Sequence, residues 1–195
     1  MMRSILLVCI LSAITAQPLR AADWQPTQEE VPAGLSNAAL GTTGRPAMVD
    51  GAGRIHLVYQ NNLESGDFEV VYSVRERNGD WNPAEKISPP ARSGRNASLV
   101  LDHGGNAYAF WMDVTDGASD SDIGFRRRAS NGSWGEPEIL FPASGISEDP
   151  VAAVDAFDRL HLVWVDGRFG NLQKILYAQA GTDRIWSAPQ VLSTG

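Results

Sequence analysis

From Gly44 onward the chain alternates short apolar runs with turn residues, and no window carries the 3.6-residue period of a helix. The pattern predicts three sets of four strands. The first set is Pro46–Val49, closed by the turn Asp50-Gly-Ala-Gly53, then Arg54–Gln60, Phe68–Arg75 and Trp81–Ser88. The second is Ala97–Leu101, Ala107–Met112, Ile123–Arg128 and Trp134–Leu140; the third is Val151–Val154, Leu160–Val165, Lys174–Gln179 and Trp186–Ser193. In each set the second strand is apolar on both faces: Leu160, Leu162 and Trp164 alternate with His161, Val163 and Val165. A strand with one wet face would put polar residues in one of those series, so these sheets are expected to be covered on both sides. The expected fold class is all-β.

The sets repeat. Asp50, Asp102 and Asp155 are spaced 52 and 53 residues apart, as are Tyr59, Trp111 and Trp164; Tyr72, Phe125 and Tyr177 follow at 53 and 52, and so do Trp81, Trp134 and Trp186. A fixed period of this length in strand-rich sequence points to the four-stranded blades of a β-propeller, with units at 44–93, 94–146 and 147–195. Ahead of them Asp23-Trp24-Gln-Pro26 resembles the start of each fourth strand, so 22–43 is expected to hold an additional outer strand and a linker. Rings of this kind close with about four to eight blades. Three blades are therefore expected either to belong to a longer protein or to close by association, and a homodimer would supply six.

The N-terminus reads differently. Met1-Met2-Arg3 precedes the apolar run Ile5–Ala16, and small residues follow at Ala16 and Ala21. That run is too short to span a bilayer and matches a secretory signal peptide, expected at 1–21. The only cysteine, Cys9, lies inside it, so the exported chain, secreted or periplasmic, would be held by packing without disulfides. The net charge of −7 deepens by two when Arg3 and Arg20 leave. An acidic surface argues against nucleic acid as partner, and no further apolar run is long enough for a transmembrane segment. No Walker loop, dinucleotide fingerprint, nucleophile elbow or zinc signature occurs, so no cofactor is expected.

The repeats VDGAGRIHLVYQ and VDAFDRLHLVWVDGR, each followed by an Ile/Val-x-Tyr strand and a tryptophan turn, resemble the sialidase-like, Asp-box (BNR-repeat) β-propellers. The likeness runs from about Trp24 to Ser193. The family box S-x-D-x-G-x-T-W is degenerate here: Gly79 and Gly132 stand two residues before their tryptophans, and Asp183 stands at the glycine place before Trp186. The resemblance implies a carboxylate clasp of arginines, whose planar forks meet a sugar carboxylate in bidentate fashion. Arg45 in Gly-Arg-Pro-Ala loosely matches the family's Arg-Ile-Pro motif, Arg95 is taken as its counterpart in the second repeat, and Arg168 follows Asp166-Gly. Read without the family, these arginines are surface ion pairs or turn contacts, and no tyrosine–glutamate pair can be argued from spacing.

Asp113, Asp116, Asp120 and Asp122 crowd the second b–c connection and form a Ca²⁺ candidate, with a solvated acidic turn as the alternative. Asp50, Asp102 and Asp155 belong to turns that a short carboxylate stabilises from within. His56 and His161 share a column with Tyr108 and are expected as partly buried, hydrogen-bonded rings. The expected function is an exported, non-catalytic module that binds a glycan or another small ligand through Arg45, Asn61, Arg95, Asp113, Asp166, Arg168 and Asn171. The alternatives are part of a sialidase-type glycoside hydrolase and an envelope scaffold that binds protein.

Overall fold

In the computed structural model the described residues are 38–39, 44–90, 92–114, 120–170 and 172–193. The expected signal peptide, the outer-strand start at Trp24, and the candidates Asp116 and Asn171 lie outside them. The described residues contain no helix and form three antiparallel sheets in chain order. The first holds β1 (Ala38–Ala39), β2 (Ala47–Val49), β3 (Ile55–Asn62), β4 (Phe68–Arg75) and β5 (Glu85–Lys86). The second holds β6 (Ser93–Leu101), β7 (Ala107–Val114), β8 (Ser121–Arg128) and β9 (Glu138–Leu140). The third holds β10 (Ser147–Val154), β11 (Leu160–Asp166), β12 (Lys174–Ala180) and β13 (Gln190–Val191).

The expected strands differ from these at both edges of each sheet. The inner strand is longer than its apolar run, because β6 and β10 continue through a bulge. Pairing with the neighbouring strand slips between Arg95 and Ser98, and again between Glu148 and Val151. Asn96 and Asp149 turn those bulges with φ of 50° and 54°, a left-handed conformation that Asn and Asp tolerate better than most residues. In the first sheet the same strand is split. β1 pairs with Gln60 and Asn61, and β2 with Ile55–Leu57, so β1 extends the inner strand from within the stretch expected as linker. The outer strands are shorter than expected. After a single bridge at Trp81, Trp134 or Trp186, each chain meets Pro83, Pro137 or Pro189, which has no N–H to give the ladder.

Packing joins each sheet face to the next. Val58, Val70, Tyr72 and Ile87 of the first sheet bury against Leu99, Ala109 and Trp111 of the second. Phe110, Ile123, Phe125 and Leu140 then bury against Leu160, Leu162 and Trp164 of the third. The two-sided apolar strands of the sequence are thus covered on both faces in the middle sheet. Trp111 fits only because its strand neighbour is glycine: a β-carbon on Gly124 would lie 2.2 Å from the indole.

The tight turns after β4, β8 and β12 share one design. Asn78, Asn131 and Asp183 accept the amide two residues on, from Asp80, Ser133 and Ile185. The next residue is left-handed: Gly79, Gly132 and Arg184. Asp183 therefore aligns with the asparagines and not with the glycines, which corrects the reading from spacing. Arg184 tolerates a glycine's conformation because its guanidinium is anchored on both sides, donating to Asp102 Oδ2 of the neighbouring sheet at 2.9 Å and to the Asp158 carbonyl of its own sheet at 2.7 Å.

Candidate functional site

Antiparallel order sorts the connections onto two ends of the sheets. One end carries the turns at 50–54, 102–106 and 155–159 together with those before Trp81, Trp134 and Trp186. The other carries the b–c connections and the segments that lead from one sheet into the next. The described ligand-site candidates Asn61, Arg95, Asp113, Asp166 and Arg168 fall at this second end; Arg45 does not.

There, a Trp-x-Asp pair repeats at the close of β7 and β11. With two residues per strand period, both side chains share a face, and the indole donates to the carboxylate: Trp111 Nε1 to Asp113 Oδ2 and Trp164 Nε1 to Asp166 Oδ2, each at 2.9 Å. Both aspartates are fully buried, and each is neutralised by an arginine from a different place in the chain. Arg168 comes from the b–c connection of its own sheet, with Nε to Oδ1 and Nη2 to Oδ2 both at 2.7 Å. Arg92 comes from the segment ahead of β6 and sets Nε 2.5 Å from Asp113 Oδ1. Burial pushes the Asp166 carboxyl up, but bonds from Arg168 and Trp164 outweigh it and hold the group below its ordinary value. The Asp166 carboxylate in turn raises the Arg168 guanidinium, outweighing burial, with Asp122 adding to it. In the first sheet this pair becomes Tyr59-x-Asn61, without charge.

Nearer the inner strands, polar side chains link the three sheets. Asn96 donates from Nδ2 to Asp149 Oδ1 at 2.7 Å, and its backbone amide reaches Gln60 Oε1 at 3.5 Å. Gln60, Asn96 and Asp149 thus come one from each sheet, two of them from the equivalent left-handed bulges. Gln173 Nε2 holds Glu148 Oε1 at 2.8 Å beside them. Arg95 lies half-buried with its guanidinium 4.1 Å from the centre of the Phe68 ring.

The candidates therefore separate. Asp113, Asp166 and Arg168 form buried pairs. Asn61 pairs across to β1 at its backbone. Arg45 is exposed and lies two residues before Ala47, which pairs with Leu57; in the second sheet the same register belongs to Ala97, not Arg95. Its carbonyl accepts the Leu99 amide at 2.8 Å. Asp120 and Asp122 accept the amides of Gly145 and Ala143 and so pin the segment leading into β10. Burial raises Asp122, partly offset by the Ala143 amide. Gln60, Asn96 and Asp149 were not singled out from sequence; for Asn96 and Asp149 the break in apolar alternation just ahead of the inner strand was the available signal, and Gln60, inside β3, offered none.

At the opposite end, Asp50, Asp102 and Asp155 bind the amides of their own turns. They also receive the residue of the histidine column. His56 Nε2 lies 3.2 Å from Asp50 and its Nδ1 2.5 Å from the Tyr72 hydroxyl; His161 lies 3.3 Å from Asp155 and 2.8 Å from Tyr177. In the middle sheet Tyr108 donates directly to Asp102 at 2.7 Å, and the partner ring is Phe125, with no hydroxyl. The histidines are thus structural links between turn and sheet.

No protein-family model and no curated protein sequence matches the chain. Solved structures do. An endo-arabinase from Bacteroides thetaiotaomicron VPI-5482 superposes with a TM-score of 0.55 at 17% identity, covering 76% of this chain and 61% of its own. The Hadza microbial sialidase Hz136 gives 0.59 at 10% identity, covering 75% and 37%. A protein of unknown function from Dyadobacter fermentans DSM 18053 gives 0.62 at 17% identity, covering 77% and 41%. The fold is that of a β-propeller. Its three sheets are blades, and the chain spans less than two thirds of each of these structures. No helix among the described residues is long and apolar enough to cross a membrane.

Proposed function

We propose that these blades bind carbohydrate without cleaving it, in an exported, secreted or periplasmic protein of the sialidase-like propeller type. The observation that carries this reading is the Gln60–Asn96–Asp149 relay. It places amide donors, amide acceptors and a carboxylate side by side across three blades, the mixed set that neighbouring sugar hydroxyls require. Arg95 stacked on Phe68 adds a cation beside an aromatic edge. Of the arginines read as a carboxylate clasp, Arg168 is engaged within the blade, closing on Asp166 through Nε and Nη2.

The second reading, part of a glycoside hydrolase, is favoured by the sialidase and the endo-arabinase among the similar structures. A glycan array with the full chain, with Asn96→Ala and Arg95→Ala beside it, separates the readings when run with fluorogenic sialoside and arabinoside substrates. Binding that both variants weaken, with no turnover, is the expected result. Turnover that Arg168→Ala abolishes would replace the binding module with the hydrolase. No binding to neutral or acidic glycans would leave the protein scaffold.

A further inference from the structure

The two interfaces between blades are built from different residue sets, and the two outer faces of the chain reproduce one of those sets. Where the first blade meets the second, the Asp50–His56–Tyr72 link receives Trp134, edge-on to the Tyr72 ring at 5.1 Å, and Arg128, whose guanidinium stands 5.2 Å from the same ring. Where the second meets the third, Trp186 again stands edge-on, here to Phe125. The strand residue equivalent to Arg128 is Ala180, and Arg184 from the turn reaches Asp102 instead. A His–Tyr face is thus met by tryptophan plus a strand arginine, and a Tyr–Phe face by tryptophan plus a turn arginine.

The third blade turns a His–Tyr face outward: Asp155, His161 and Tyr177. Beside it Ile175 is 39% exposed and Leu192 55%, whereas their counterparts Ile123 and Leu140 in the second blade are 0% and 6% exposed beneath the third. The first blade's opposite face carries the matching set. Trp81 bridges to Arg75 as Trp134 does to Arg128. Arg75 also lies over the turn glycine in the same way: its Nη2 would be 3.3 Å from a β-carbon on Gly79, against 3.2 Å for Arg128 and Gly132. Val49, at the same end of this face, is 64% exposed.

We infer that the outer face of the third blade docks the first blade of a second copy of this chain, with Trp81 and Arg75 of that copy on Tyr177. The contact repeats the chemistry of the first internal interface, not the second, and this selects a first-blade partner over another third or second blade. Two such contacts, related by a twofold axis, join three blades to three and close a six-bladed ring.

Light scattering and sedimentation of the full chain test this, with Tyr177→Glu and Ile175→Asp on one face, Trp81→Glu on the other, and Phe169→Ser on a b–c connection as control. The expected result is a particle of twice the chain mass that each face variant converts to a monomer with an unchanged circular dichroism spectrum, while the control stays dimeric. A second measurement bypasses folding effects: a Trp81→Cys chain mixed with a Tyr177→Cys chain should give a disulfide-linked dimer under mild oxidation, and either chain alone should not. A monomeric wild-type chain, or a dimer indifferent to all three face variants, overturns the proposal; the monomer would assign the face to a blade carried outside this chain.

Discussion

Exchanging the middle blade's link for that of its neighbours tests whether each column is a two-residue unit. Tyr108→His alone keeps a group near Asp102, since imidazole Nε2 reaches the carboxylate at 3.2 and 3.3 Å in the other blades. It leaves Nδ1 buried against the Phe125 ring, and a buried polar atom without a partner costs about 1–3 kcal/mol. Phe125→Tyr alone buries a hydroxyl against the Tyr108 ring at a similar cost of about 1–3 kcal/mol. Together they recreate the bond that His161 makes with Tyr177 at 2.8 Å, and the rings are already placed for it. The centroids of Tyr108 and Phe125 are 6.4 Å apart and nearly parallel, and those of His161 and Tyr177 are 6.0 Å apart. The Arg184 contact with the Tyr108 ring, 4.6 Å, is lost in both variants containing histidine and cancels from the cycle. The double variant should therefore be more stable than the sum of the singles by about 1.5–3 kcal/mol, within the range measured for residues in contact. For a chain of this size that is about 3–12 °C in Tm. Urea denaturation of the four proteins, with slopes compared to confirm a common unfolding, measures it. Additive losses within about 0.5 kcal/mol would refute the reasoning.

Three further outcomes follow from the same contacts. Arg168→Ala strands the buried Asp166 carboxylate with only Trp164, Ser147 and a backbone amide; a loss of about 3 kcal/mol is expected, against less than about 0.5 kcal/mol for the exposed Arg45→Ala, and equal urea midpoints for the two variants would count against the buried pair. Gly124→Ala forces the Trp111 indole off Asp113 and should cost about 1–3 kcal/mol with a shift in tryptophan emission; an unperturbed spectrum would contradict the packing. Burial lowers His56 below its ordinary value of 6.5, although Asp50 pulls the other way, so the unfolded chain takes up the proton first and stability is lost as pH falls through that value. His56→Tyr combined with Tyr72→Phe, the middle blade's own solution, should reduce the drop in denaturation midpoint between about pH 7.5 and 5.5; an undiminished drop would place the proton uptake elsewhere.

The period, the all-β class and the core of each strand from β2 onward are local properties, and for that reason the sequence alone determined them; β1, in the stretch expected as linker, is placed only by its pairing with β3. Phe68–Arg75 was expected where β4 lies, because its alternation, the turn before it and the turn after it all sit within a dozen residues. The aspartates of the first turns were legible for the same reason, since a short carboxylate bonds the amides of its own turn. The tertiary structure decided what depends on the neighbouring blade. Arg92 and Arg168 do the same work from opposite sides of the strand they serve, so no column of the repeat aligns them. Arg184 holds a glycine's place because Asp102, 82 residues away, receives its charge, and Asn96 acquires a role only when Asp149 arrives beside it. A carboxylate buried between sheets is neutralised by whichever cation the packing brings within reach, and a single chain of residues does not contain that distance.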